Sequence, residues 1–203
     1  MNKYVFLAVD IQNEFASPGG KFYTPKPSTN FLREVLFPFL EKKGLKVDEI
    51  ISDYRQPRPG DRGDGCHPGD WGYESLVPEN LRKSLWVKCM NSPVWIRENI
   101  GNKDGKAGLP YPDPKKFDVW LNKKVGRPEE VTPILFGLTI DCCVLSTAQE
   151  LNWRGYRPLI LREGVDHASG EIEDKDAVLR TPVSNWGKPI SWNELKKKLE
   201  RPS

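Results

Sequence analysis

Short, nearly continuous apolar runs recur along the chain, and each run ends in polar or charged residues. Such runs are typical of strands in a parallel sheet that is covered on both faces, because neither face then meets water. The runs predict five strands, at residues 4–9, 47–52, 85–88, 131–136 and 158–161.

Segments with helical spacing of apolar residues lie between these strands. Ser28 or Thr29 can cap the first helix, which Gly44 ends. Parallel neighbours need crossover connections, so the alternation predicts a mostly parallel α/β sheet with helices on both faces. The predicted helices cover residues 31–40, 114–124, 141–153 and 192–199.

Composition narrows the class of protein. The 203 residues show no compositional break, which predicts one domain over residues 1–203. The 31 basic and 28 acidic residues are interspersed, so no single-sign field favours nucleic acid or anionic lipid. No apolar stretch is long enough to span a membrane, and the first strand lacks the features of a signal peptide. We expect a cytoplasmic protein with a small-molecule partner.

Cysteine usage agrees with a reducing compartment. The four cysteines are Cys66, Cys89, Cys142 and Cys143, without a C-x-x-C pair. Adjacent cysteines make a poor disulfide because the bridge demands a strained turn. We therefore expect free thiols.

Three reactive side chains each follow a predicted strand: Asp10, Lys88 and Cys143. Strand ends of a parallel sheet share one edge, so these groups should converge. The helix start at Cys143 favours a thiolate and should lower its pKa. Asp10 could accept the thiol proton while Lys88 stabilises negative charge. Taken singly, a buried helix cysteine, a turn-capping carboxylate and a surface lysine are the ordinary interpretations; their joint placement favours a site.

Four segments, in order along the chain, resemble the isochorismatase-like cysteine hydrolase superfamily. They are AVDIQNEF, CHPGDWGYESLVPE, WVKCMNSPVW and GLTIDCCVLSTAQELNWRGY. The last resembles the family's nucleophile segment and selects Cys143 rather than Cys142. One departure is Asp70, which stands where the family usually has threonine.

The resemblance implies a three-layer, Rossmann-like α/β/α sandwich around five or six strands, with a catalytic triad of Cys143, Asp10 and Lys88. It also implies a cis peptide bond between Leu138 and Thr139, which would aim the amides of Thr139 and Cys143 at an oxyanion. Members are commonly oligomers, so a homodimer or homotetramer is expected.

The metal site of the related nicotinamidases is not matched by the sequence. The corresponding positions hold Asp53, Arg55 and Gly65, and His67 lies on the wrong side of Cys66. We therefore expect no metal and no other cofactor. Arg55 could instead bind a substrate carboxylate, and two aromatic residues, Phe15 and Trp71, could line the substrate pocket.

The leading functional prediction is hydrolysis of a carbon–nitrogen, amide-type bond in a small polar or anionic metabolite through a covalent Cys143 intermediate. One alternative is vinyl-ether hydrolysis of the isochorismatase type, which needs no thiol. Others are a thiol redox protein that uses Cys142 and Cys143, a non-catalytic interaction subunit, and a Cys–His dyad with His67 or His167.

Overall fold

The computed structural model describes residues 3–180 and 185–200 and contains a six-stranded sheet in which every neighbouring pair is parallel. Its strand order is β3-β2-β1-β6-β7-β8, and β4 and β5 form a separate antiparallel pair. The strands are β1 (Lys3–Val9), β2 (Val47–Ser52), β3 (Arg82–Lys88), β4 (Trp95–Ile96), β5 (Tyr111–Pro112), β6 (Val131–Leu138), β7 (Leu159–Asp166) and β8 (Lys188–Ile190).

Helices surround the central sheet, so the predicted α/β fold with a mostly parallel sheet is confirmed. No helix in the described ranges is long and apolar enough to cross a membrane. The α-helices are α1 (Asn13–Ala16), α2 (Pro27–Phe31), α3 (Phe37–Lys42), α4 (Pro114–Trp120), α5 (Cys143–Trp153), α6 (Ile172–Arg180) and α7 (Trp192–Leu199).

The central strand β1 lies between β2 and β6, and its residues from Phe6 to Val9 are almost completely buried. This burial explains the continuous apolar run, because helices cover both faces of the sheet. After Val9 the chain turns sharply at Asp10, whose φ is 50°. The turn leaves the Asp10 side chain at the carboxyl end of the sheet.

The first predicted helix differs from the prediction in two ways. It begins after Lys26 with Pro27 in its first turn, so the expected cap by Ser28 or Thr29 is wrong. Proline suits this position because its φ is already helical and the first turn has no acceptor for its N–H. A π-helical turn, Leu32–Leu36, then separates α2 from α3, where Pro38 cannot donate the regular helical hydrogen bond.

Candidate active site

Three side chains predicted to be reactive meet at the carboxyl edge of the sheet. Asp10 follows β1, Lys88 ends β3, and Cys143 begins α5 beyond β6. The Lys88 Nζ lies 2.8 Å from Asp10 Oδ2 and 3.4 Å from Cys143 Sγ. All three residues are buried, with Asp10 and Lys88 fully inaccessible. The structure therefore brings together the carboxylate, ammonium and thiol.

Two further residues, Ser52 and Tyr54, complete the hydrogen-bonded cluster, and sequence reasoning missed both. Ser52 Oγ donates to Asp10 Oδ1 at 2.8 Å and accepts from Lys88 Nζ at 2.8 Å. Tyr54 Oη accepts from Lys88 Nζ at 2.9 Å and lies 3.2 Å from Cys143 Sγ. The signal that could have identified these two residues is their position at the end of β2, the strand that lies between β1 and β3.

Burial and charge decide the ionisation of this cluster. Burial disfavours the Lys88 ammonium, but the neighbouring Asp10 and Cys143 outweigh this cost and raise the pKa of Lys88 well above its ordinary value. A hydrogen bond with Cys142 and burial raise the pKa of Cys143 well above the ordinary thiol value, although Lys88 opposes both effects. The pKa of Cys143 is therefore raised, opposite to the lowering expected from its position at a helix start.

The loop between β6 and α5, which ends at Cys143, has an unusual backbone geometry. The peptide bond between Leu138 and Thr139 is cis, the geometry that the resemblance implies. The carbonyl of Thr139 accepts hydrogen bonds from the amides of Cys142 and Val144, at 3.2 and 3.1 Å. Within the described ranges, no hydrogen bond from the amide of Thr139 or of Cys143 to another group is found.

Glycine at position 137 permits the close approach of β1 and β6 next to this loop. Gly137 has a φ of 135°, and an added Cβ would lie 1.9 Å from the carbonyl oxygen of Val9. A side chain there would force apart the two strands that carry Asp10 and the Cys143 loop.

A cavity of about 230 Å³ opens beside Cys143. Phe15 lines it as predicted, and the thiol of Cys142 is also in the wall. A larger cavity of about 610 Å³ lies at the opposite, amino end of the sheet beside β8 and contains none of the three reactive side chains. The volume of a cavity alone therefore does not identify the candidate active site. The wall of the Cys143 cavity also contains Phe22, Tyr54, Arg58, Asp61 and Thr139.

Two predicted substrate-binding residues, Arg55 and Trp71, are absent from this wall. Arg55 uses all five of its N–H groups, two on the carboxylate of Asp53 and three on backbone carbonyls of residues 99, 102 and 105. No donor remains for a substrate carboxylate, so the predicted role is wrong. Trp71 lies on a 3₁₀ turn with about half of its surface exposed, and its ring packs beside Gly19 instead.

The residues around Asp53 do not fit the metal site of the nicotinamidases. Both Asp53 oxygens contact Arg55, at 2.8 and 2.7 Å, and the amide of Gly101 donates to Oδ2 at 2.9 Å. A cation would have to displace a guanidinium from the same carboxylate. Among residues 3–180 and 185–200, no group of three or more His, Cys, Asp or Glu side chains could hold a metal.

Neither histidine lines the cavity with Cys143. His67 Nε2 pairs with Asp64 at 2.9 Å, and His167 Nδ1 bonds Ser169 Oγ at 2.8 Å. The alternative of a Cys–His dyad therefore has no support in the observed geometry.

Comparison with solved structures identifies the fold. An isochorismatase-like hydrolase from Alkaliphilus metalliredigens is 18% identical, with a TM-score of 0.68 over 98% of this chain and 97% of that chain. N-carbamoylsarcosine amidase from Thermoplasma acidophilum is 23% identical, with a TM-score of 0.61 over 93% and 96%. A pyrazinamidase of Pyrococcus horikoshii, solved with zinc, is 17% identical, with a TM-score of 0.65 over 94% and 99%.

The chain therefore has the fold of the isochorismatase-like hydrolases, and the resemblance indicated by the four sequence segments is confirmed at the level of the fold. No family model matches the sequence, and no curated protein matches it.

Proposed function

We propose that the chain is a member of the isochorismatase-like superfamily and a cysteine-dependent hydrolase. It cleaves a carbon–nitrogen, amide-type bond in a small polar or anionic molecule. The observation that carries the proposal is the buried chain of contacts from Asp10 through Lys88 to Cys143, at the edge of a small cavity. Cys143 offers the nucleophile in the cavity wall, and the fully buried Asp10 and Lys88 supply the proton acceptor and the cation through the contacts of Lys88.

The first half of the reaction forms the tetrahedral intermediate that precedes the thioester. Asp10 accepts the thiol proton, which fits the raised pKa of Cys143, because a protonated thiol needs a base. The sulfur then forms a bond to the carbonyl carbon, and the carbonyl electron pair moves to oxygen. The amides of Thr139 and Cys143 stabilise this oxyanion, an effect worth about 3 kcal/mol per donor in other enzymes.

The second half restores the enzyme. The oxyanion collapses, the carbon–nitrogen bond breaks, and the leaving nitrogen takes the proton from Asp10. Water then gives a proton to Asp10 and attacks the thioester, and the carbon–sulfur bond breaks. The Cys143 thiolate regains that proton and the acid leaves. Throughout the cycle Lys88 stays charged and stabilises the thiolate and the carboxylate, which it contacts directly.

The named neighbours support this reaction class. Two of them are amidases, the N-carbamoylsarcosine amidase and the pyrazinamidase. Their likeness is one of fold, so the proposed chemistry depends on the local contacts of Cys143.

A panel of small amides, carbamoyl compounds and ureides tests the proposal, with wild type, Cys143→Ala and Cys89→Ala assayed in parallel. Cys89 is a buried thiol outside the cavity wall, so Cys89→Ala is the matched control. We expect wild type and Cys89→Ala to release ammonia or amine and Cys143→Ala to lose this activity.

Three results would contradict the proposal. Amide hydrolysis that survives in Cys143→Ala excludes the thiol as nucleophile. Cleavage of a vinyl ether alone, retained in Cys143→Ala, indicates the isochorismatase type of chemistry. No hydrolysis of any compound, together with reversible Cys142–Cys143 oxidation, indicates a redox protein.

A further inference from the structure

Arg58 is a buried arginine in the wall of the Cys143 cavity that does not use all of its hydrogen-bond donors. Its side chain is only 1% exposed. The guanidinium makes two hydrogen bonds, to the carbonyl of Gly63 at 3.1 Å and to Asp61 Oδ2 at 2.5 Å. Its Nε is buried without a hydrogen-bond partner in the described part of the chain. An arginine has five N–H groups, so three of them remain available.

Unpartnered buried donors are costly, because each has lost its hydrogen bonds to water. In native proteins, the great majority of buried polar groups have partners, and exceptions often mark functional positions. A ligand that brings acceptor oxygens to Arg58 would satisfy these donors. A carboxylate matches a guanidinium best, because two oxygens meet two N–H groups in one plane.

The orientation of Arg58 is fixed relative to the nucleophile. Its guanidinium carbon lies 3.7 Å from the centre of the Tyr54 ring, as in a stacked pair. The hydroxyl of the same tyrosine lies 3.2 Å from Cys143 Sγ. One aromatic side chain therefore separates the positive group from the thiol, a span that a small molecule can bridge.

Among the described residues that line the cavity, Arg58 is the one cationic side chain. Phe15 and Phe22 stack at 5.4 Å between ring centres and contribute only apolar surface. Asp61 is the other charged wall residue, and its side chain is 38% exposed. Asp61 accepts one hydrogen bond from Arg58, and water screens its partly exposed carboxylate more than it screens the buried guanidinium, so the remaining Arg58 donors still favour an anion.

We propose that Arg58 is the anion-binding residue of this cavity and that the substrate carries a carboxylate at one end and the amide-type group at the other. The substrate class is a short monoamide of a dicarboxylic acid or a carbamoylated amino acid. The amide half of this inference rests on the proposed function, whereas anion binding by Arg58 does not.

Selectivity between matched substrates tests the inference. Succinamate and its neutral diamide, succinamide, differ mainly in charge, as do N-carbamoylglycine and N-carbamoylglycinamide. The variants are Arg58→Met and Arg58→Lys, with Arg62→Met as control because Arg62 is an exposed arginine on the same loop.

We expect Arg58→Met to lower kcat/KM for the anionic member by about 10- to 100-fold, as for a lost charge-assisted hydrogen bond. The neutral member should lose less than about threefold. Arg58→Lys should be intermediate, because lysine keeps the charge but not the planar pair of donors. Arg62→Met should leave both values unchanged. An equal loss on both members would overturn the inference.

A second measurement does not depend on hydrolysis. In the Cys142→Ser background, iodoacetamide labels Cys143 while butyrate, 1-butanol or sodium chloride is present. We expect butyrate to slow labelling, the other two to have no effect, and Arg58→Met to abolish the protection. Equal protection by butyrate and 1-butanol, or none by butyrate, would overturn anion binding. Protection without hydrolysis of any amide would contradict the proposed function alone.

Discussion

Two arginines three residues apart on the loop after β2 have opposite surroundings. Arg55 pairs with the fully buried Asp53 and donates all five N–H groups within the protein. Arg58 is more deeply buried than Arg55, but its guanidinium makes only two hydrogen bonds to the described residues, and it lines the cavity with Cys143. An arginine whose N–H donors all have partners within the protein stabilises the fold, whereas one with unpartnered donors can still bind a ligand.

The same contrast holds for two buried carboxylates. Asp10 and Asp53 each pair with a cation at the carboxyl edge of the sheet, at 2.8 and 2.7 Å. Only the Lys88 partner of Asp10 also contacts a thiol, whereas the Arg55 partner of Asp53 contacts backbone carbonyls of the loop at 99–105. We infer that the Asp10–Lys88 pair takes part in catalysis, whereas the Asp53–Arg55 pair holds the loop at 99–105 in place.

The largest effect is expected from Lys88→Met. It removes the cation that stabilises the thiolate, so kcat/KM on any substrate found should fall by at least about 1000-fold. It also leaves Asp10 buried and unpaired, so the free energy of unfolding should fall by about 3–5 kcal/mol in urea titrations. The double variant Asp10→Asn/Lys88→Met should recover stability but not activity. Recovery of activity would contradict a chemical role for the pair.

Arg55→Met should act on stability and not on substrate choice. Asp53 would lose its partner, and the loop at 99–105 would lose three hydrogen bonds. Because the Arg55 side chain is 12% exposed, we expect a loss of about 2–4 kcal/mol in the free energy of unfolding. Arg58→Met should cost less than about 1 kcal/mol, since it breaks a pair with a partly exposed carboxylate. A larger loss of unfolding free energy in Arg58→Met than in Arg55→Met would refute the comparison.

The smallest effect concerns the pH dependence of thiol labelling. Because burial and the Cys142 hydrogen bond raise the pKa of Cys143, its thiol is protonated at neutral pH. The thiolate fraction should then grow about tenfold per pH unit between pH 7 and pH 9, and so should the rate of iodoacetamide labelling. In the wild-type protein, fragmentation of the labelled peptide separates a label on Cys143 from a label on Cys142. A rate that is constant above pH 7 would show a lowered pKa instead.

The sequence indicated Asp10, Lys88 and Cys143 because each lies at or after the end of a predicted strand, and parallel strands bring such ends together. Ser52 and Tyr54 were missed because their contacts depend on β2 lying between β1 and β3, a strand order that periodicity does not encode. The strand β8 was missed because Lys188–Ile190 is only three residues long.

The interpretation of the arginines failed for a related reason. Which arginine faces the cavity depends on the path of the loop after β2 and on the loop at 99–105, which takes up the donors of Arg55. The pKa of Cys143 was predicted in the wrong direction because the helix start is visible in the sequence, whereas the burial of the thiol and its hydrogen bond with Cys142 are not.

Acid-quenched mass spectrometry during turnover of the best amide from the panel tests the central claim most directly. The account predicts an acyl group on the peptide that contains Cys143, assigned by fragmentation to that sulfur and absent from Cys143→Ala. Turnover in Cys143→Ala, or an adduct that fragmentation assigns to Cys142, would contradict it.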